Sequence, residues 1–273
     1  MPVSAREKTL FISDLDGTLL DKAARVTAYT AETVNRLTDA GYSFSVATAR
    51  TEQSVRGLLS GIRVNAPIIL LNGVLIYDIN DRKYLKIEQL NAEIAAKIRE
   101  MLARHGADAL VYVVDGEHME VTKHYLSSEN ARLDRIFRED YIPPPAAAKR
   151  GETVYFTLAG RFEQMRPIHD EIKKIPGVAV VFSKDDYTEE QWFVECFSEK
   201  ASKGSGVRFL RENYGFTRIV GFGDNINDIP LFAACDEAYA AANAKPEAKS
   251  AATRVIAGND EDGVAKWLAE NVL

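Results

Sequence analysis

The sequence predicts an α/β fold: a parallel sheet with helices on both faces, interrupted by an inserted α+β domain. Three observations carry this prediction. Apolar runs at 10–12, 42–47, 67–71 and 218–222 alternate with amphipathic stretches, the pattern of strands joined by crossover helices. Each run ends in polar residues, at Asp14/Asp16, Thr48, Asn72 and Asp224/Asn227/Asp228, and open α/β sheets hold their ligands beyond the carboxyl ends of the strands. Between residues 84 and 196 the alternation gives way to closely spaced strands with separate helices, and it returns near Lys200. The expected division is a discontinuous core, 1–83 with 197–273, around an inserted domain, 84–196.

Leu10 to Ile12 read as a buried strand, because a short apolar run bounded by turn residues suits a covered parallel sheet. Residues 27–37 follow as a helix, with Thr30 the expected N-cap and Gly41 its stop. A strand at 42–47, a helix at 52–59 and a strand at 67–71 come next, the last in a hairpin with 75–77. In the insertion, 91–105 is an amphipathic helix with Ile94, Ile98, Met101 and Leu102 on one face. Strands at 110–114 and 119–122 flank Asp115-Gly116, a hairpin signal. A helix at 128–138 leads to Pro143-Pro144-Pro145, a stiff break. A strand at 153–159, a helix at 162–174 and strands at 178–182 and 191–197 complete the insertion. The core resumes with a helix at 203–212, a strand at 218–222, a short helix at 229–234, strands at 237–241 and 253–256, and a closing helix at 263–270.

Composition narrows the class. The 273 residues, 46% hydrophobic and 27% charged, are ordinary for a globular protein and sufficient for one large core or two modest ones. A net charge of −6 argues against a nucleic-acid or anionic-membrane surface. No apolar stretch approaches the ~18 residues that cross a bilayer. Cys196 and Cys235 lack metal-ligand spacing and read as buried thiols, and the polar start carries no secretory signal, so the expectation is a cytoplasmic protein, monomer or homodimer.

The chemistry centres on Asp14-Leu15-Asp16-Gly17-Thr18-Leu19. Two acids two apart in extended chain face the same way, and clustered carboxylates repel unless a cation or shared proton neutralises them. Gly17 lets the backbone bend and approach a ligand. Asp14 could instead cap a helix, but that leaves Asp16 and the distant Asp224 unexplained.

Taken with Thr48, Lys203 and Gly223-Asp224-Asn225-Ile226-Asn227-Asp228, this stretch resembles the four motifs of the haloacid dehalogenase-like superfamily, and more narrowly its Cof-type phosphatases. The resemblance covers nearly the whole chain, with the insertion matching their large α/β cap and the remainder their Rossmann-like core. It implies a Mg²⁺-dependent phosphatase acting on a small phosphorylated metabolite such as a sugar phosphate, with neither nucleic acid nor membrane as partner. Asp14 would be the nucleophile and Asp16 the proton carrier. Asp14, the backbone carbonyl of Asp16 and Asp224 would hold Mg²⁺. Lys203, rather than the surface Lys200, would supply a point charge to the phosphoryl group. Thr48 would give it a hydroxyl and a backbone N–H, with a helix-capping threonine as the alternative. Asp228 would hold Lys203 or a metal-bound water, and Asn227 would reach phosphate or substrate.

The chain departs from the usual Thr-Gly-Arg at Thr48-Ala49-Arg50, where alanine demands an ordinary backbone or some strain; Arg50 is a substrate contact only by position. Pro230 falls in a first helical turn, where it is tolerated. Asn72-Gly73 reads equally as a site element and as an ordinary turn. Substrate choice is expected in the insertion, where His118, Lys123, His124, Tyr125, Arg161, Lys184 and Trp192 are candidates, and cap closure could hinge near 81–83 and 199–202. A phosphomutase is the alternative reaction, and a non-enzymatic binding domain the alternative class.

Overall fold

A computed structural model describes residues 8–124, 130–141, 151–185 and 190–273. Its elements run β1 (Thr9–Ser13), α1 (Ala28–Asp39), β2 (Ser43–Val46), α2 (Glu52–Leu58), β3 (Ile68–Leu70), β4 (Leu75–Asp78), β5 (Lys83–Ile87), α3 (Ala92–His105), β6 (Ala109–Val114), β7 (Met119–His124), α4 (Ala131–Asp140), β8 (Glu152–Gly160), α5 (Phe162–Ile172), β9 (Val178–Lys184), β10 (Trp192–Ser198), α6 (Lys203–Tyr214), β11 (Arg218–Gly223), α7 (Ile229–Ala234), β12 (Glu237–Ala241), α8 (Pro246–Ala251), β13 (Arg254–Ile256) and α9 (Gly263–Asn271). They form two compact units, Met1–Leu85 with Ser202–Leu273, and Lys86–Ala201.

The first unit is built on a five-stranded sheet, β13-β12-β11-β1-β2, whose pairings are all parallel. Alternation along β1 explains its unbroken apolarity. Leu10 and Ile12 join Val207 and Leu210 of α6, Leu231 and Phe232 of α7 and Ala248 of α8. Phe11 turns the other way, its ring 6.3 Å from that of Trp267 in α9, on the side where α1 packs on α9. Helices therefore cover both faces, as predicted. A parallel bridge, Ala47↔Ile69, links β2 to a smaller sheet, β3-β4-β5.

The second unit is a five-stranded sheet, β7-β6-β8-β10-β9, with every pairing antiparallel. Ile98, Met101 and Leu102 of α3 and Met165, Ile168 and Ile172 of α5 bury one face against Val111, Phe156, Leu158 and Val194. The Asp115-Gly116 hairpin forms: Asp115 Oδ1 accepts the Glu117 and His118 N–H groups at 3.1 and 2.9 Å, and Gly116 takes φ 104°.

Some local expectations are corrected. Thr27, not Thr30, caps α1, accepting the Thr30 N–H at 3.0 Å, while the Thr30 hydroxyl is buried against Asp262. Strand β5 and helix α8 escaped the sequence reading, the first because its alternation is largely polar and the second because it is one short turn-rich segment. The helix expected at 128–138 is Ala131–Asp140; Tyr125, the start of that expected helix and the three prolines lie outside the described residues. Among the described residues, no helix is long and apolar enough to cross a membrane.

Candidate active site

The turn after β1 brings the two acids into different environments. The Asp14 N–H continues the ladder to the Phe222 carbonyl at 2.9 Å, and its side chain makes no helix-capping bond, so the capping alternative fails. Gly17 is required twice over. Its φ is +77°, and a Cβ there would stand 2.5 Å from Asp224 Oδ2. Thr18 Oγ1 donates to Asp224 Oδ1 at 2.9 Å, and Asn243 Nδ2 donates to the Gly17 carbonyl at 2.7 Å. The end of β1 and the end of β11 thus lock together through Asp224.

Lys203 opens α6 and is almost fully buried, 1% exposed. Its Nζ donates to Asp14 Oδ1 and to Asp228 Oδ1, both at 2.6 Å. The other Asp228 oxygen accepts the N–H groups of Asp224 and Asn225, each at 2.9 Å. Burial is the main influence raising the Asp14 carboxyl well above its ordinary range; Lys203 opposes it, and Asp228 and Asp224 add to it. Burial disfavours the Lys203 charge, but Asp14 and Asp228 outweigh it and hold the ammonium above its ordinary range. The exposed Lys200 lies outside this cluster.

The Thr48 backbone N–H is not available to a ligand. It donates to the Ile69 carbonyl at 2.9 Å, because the parallel bridge consumes it. The hydroxyl accepts the Arg50 N–H at 3.2 Å, and the helix-capping role belongs to Thr51, whose oxygen accepts the Ser54 N–H. Ala49 does not need positive φ. The unusual backbone sits instead at Leu71, Asn72 and Gly73, with φ of 46°, 56° and 95°. A Cβ on Gly73 would lie 2.0 Å from the Ser202 carbonyl, so this turn abuts the start of α6 that carries Lys203. Buried Asn72 accepts from Asn227 Nδ2 at 3.0 Å, which ties two of the strand ends together. Arg50, expected only as a substrate contact, grips Asp16 from two sides: Nε to Oδ2 at 2.7 Å and Nη2 to Oδ1 at 2.6 Å.

The cluster fits a metal ion. Oxygens of Asp14, Asp224 and Asp228 lie within 4.8 Å of one another, and all three residues are buried. Lys203 bonds two of them, Asp14 and Asp228, and three acids gathered in low-dielectric surroundings are poorly tolerated without further positive charge. Asp228 is the least suited of the three, because Lys203 and two backbone N–H groups already occupy its oxygens. Cysteine chemistry is not offered: both thiols are free, and burial pushes Cys235 up to about 12 and Cys196 higher still.

A family model for haloacid dehalogenase-like hydrolases matches residues 11–268, and the chain belongs to that family. It is 24% identical to the pyridoxal phosphate phosphatase of Escherichia coli, over 95% of this chain and 97% of that protein. It is 27% identical to the 5-amino-6-(5-phospho-D-ribitylamino)uracil phosphatase of Bacillus subtilis, over 93% and 95%. Among solved structures, a haloacid dehalogenase-like hydrolase from Bacteroides thetaiotaomicron superposes with a TM-score of 0.78 at 22% identity, covering 96% of this chain and 98% of that one. The chain is a phosphatase of this family.

Asn243 and the Arg50–Asp16 pair were not read from sequence; Asn243 sits in a turn with no motif, and pairing across 34 positions leaves no local signal. In the second unit, Lys123 pairs with Asp134 and lies 4.6 Å from the Phe137 ring centre, while Trp192 stacks on Phe182 at 4.7 Å. His118 and Lys184 are exposed, His124 is half-buried, and Arg161 stands at the start of α5.

Proposed function

We propose that this protein is a Mg²⁺-dependent phosphatase that hydrolyses a small phosphorylated metabolite through an aspartyl-phosphate on Asp14. The observation that carries the reading is the buried Asp14 carboxylate, aligned by Lys203 at 2.6 Å beside Asp224. An Asp14 oxygen bonds to phosphorus as the ester P–O bond breaks, and the leaving oxygen takes its proton from Asp16. Water then attacks phosphorus, gives its proton to Asp16, and releases inorganic phosphate and Asp14. Lys203 holds Asp14 in line and offsets charge on the phosphoryl group, and the Thr48 hydroxyl donates to one of its oxygens. Asp14, the Asp16 carbonyl and Asp224 would hold Mg²⁺, which prefers oxygen ligands and when bound cancels the repulsion between carboxylate and phosphate. Asp228 keeps Lys203 and the 224–225 backbone in place.

The core is assigned to residues 1–83 and 197–273 and the ester-selecting cap to 84–196. The relatives named above act on pyridoxal phosphate and on a phosphorylated ribitylaminouracil, which supports a small phosphomonoester as the substrate class. A panel of such esters tests the reading. Free phosphate is expected from at least one, with at least about a 1000-fold loss in Asp14→Asn. Activity surviving in that variant removes the nucleophile assignment, and isomerisation that needs a bisphosphate primer replaces the hydrolase by a mutase.

A further inference from the structure

We infer that Arg50 is a positioning residue for Asp16: it holds the proton carrier by both carboxylate oxygens and so sets the efficiency of leaving-group protonation. The inference rests on the proposed role of Asp16 and goes beyond it, because it removes Arg50 from the set of substrate contacts. The grip is two-pronged, at 2.7 and 2.6 Å, and a planar guanidinium matched to a carboxylate fixes orientation as well as distance. The pair is partly shielded, the side chains being 22% and 26% exposed, so it is better defined than a surface ion pair.

The Arg50 backbone is itself pinned on both sides. Its N–H donates to Thr48 Oγ1 at 3.2 Å, and its carbonyl accepts the Leu71 N–H at 3.1 Å, where the left-handed turn 71–73 begins. One residue therefore joins the end of β2, the buried turn that reaches Asn227, and the acid after β1. Gly17, next to Asp16, has φ +77°, and both residues depart from helical φ/ψ in the turn that follows β1. Asp14 is held by Lys203; Asp16 is held by Arg50. The two carboxylates are thus kept apart by two separate cations, and each keeps its own task.

After the proton has gone to the leaving oxygen, Asp16 is a carboxylate, the form that the guanidinium binds. The pair then presents it to the hydrolytic water as a base.

The test compares kcat/KM, which reports phosphoryl transfer to Asp14, for p-nitrophenyl phosphate and glycerol 3-phosphate. The nitrophenolate departs without a proton, whereas the glycerol alkoxide needs one. Arg50→Ala is expected to lose ~100-fold on glycerol 3-phosphate and less than about 5-fold on p-nitrophenyl phosphate, the signature of impaired general-acid help. Arg50→Lys, which preserves charge and bulk but lacks the fork, is expected to fall between the two and keeps the test open if the alanine variant unfolds. Made in an Asp16→Asn background, either Arg50 substitution is expected to cost nothing further on glycerol 3-phosphate. An equal loss on both esters makes Arg50 a phosphate clamp and overturns the inference, as does an unchanged rate on both or an additive loss in the double variant. Those outcomes leave Asp14→Asn inactive; survival of activity in Asp14→Asn strikes the underlying reading instead.

Discussion

The two units handle buried charge in opposite ways. In the antiparallel unit the buried acids are apart from one another: Asp185 pairs with Arg132 at 2.8 Å, and Asp140 accepts the Tyr112 hydroxyl at 2.8 Å. In the parallel unit, Asp14 and Asp228 both bond the Lys203 ammonium, and the Asp224 carboxylate lies beside them. Matched charges lock a fold, whereas an unbalanced buried cluster costs stability and persists where a ligand or ion restores the balance. The difference puts the acidic cluster in the parallel unit, where the reaction is proposed to occur.

Lys203→Met should break the contrast most severely. Removing the ammonium leaves Asp14 and Asp228 buried without it, and about 3–5 kcal/mol of stability should be lost together with activity. Denaturant unfolding alongside phosphate release measures both, and a stable variant would mean that the carboxylates are neutral at working pH. The second test restores the balance from outside. Chelation should abolish turnover, and saturating Mg²⁺ at ~100 times its dissociation constant should stabilise the protein by about 2.7 kcal/mol, read as a rise in Tm that Asp224→Asn removes. An unchanged Tm would leave the cluster without its cation. The smallest effect belongs to the other unit. Tyr112→Phe removes one buried hydrogen bond to Asp140 and should cost about 1–2 kcal/mol with kcat unaltered. A matching loss of kcat would dissolve the distinction drawn between the units.

Much of this site was legible in the chain. Asp14, Asp16, Thr48, Asn72, Lys203, Asp224 and Asp228 each stand at the end of an apolar run or the start of a helix, and a parallel sheet brings such strand ends to one edge. Gly17 and Gly73 were readable as turns, but the reason no side chain fits there, Asp224 in one case and the Ser202 carbonyl in the other, is a matter of packing. The same holds for Thr48, where a parallel bridge claims the N–H expected to serve the phosphate.

What the amino-acid order determined by itself was the alternation of strand and helix, the insertion, and the acids and lysine at the strand ends, because local periodicity and turn chemistry act over a few residues. What only the tertiary structure decided was the pairing: which carboxylate Lys203 holds, and that Arg50 grips Asp16. Ion pairs depend on distances of a few ångströms between residues remote in sequence, and those distances exist only after the sheet has assembled.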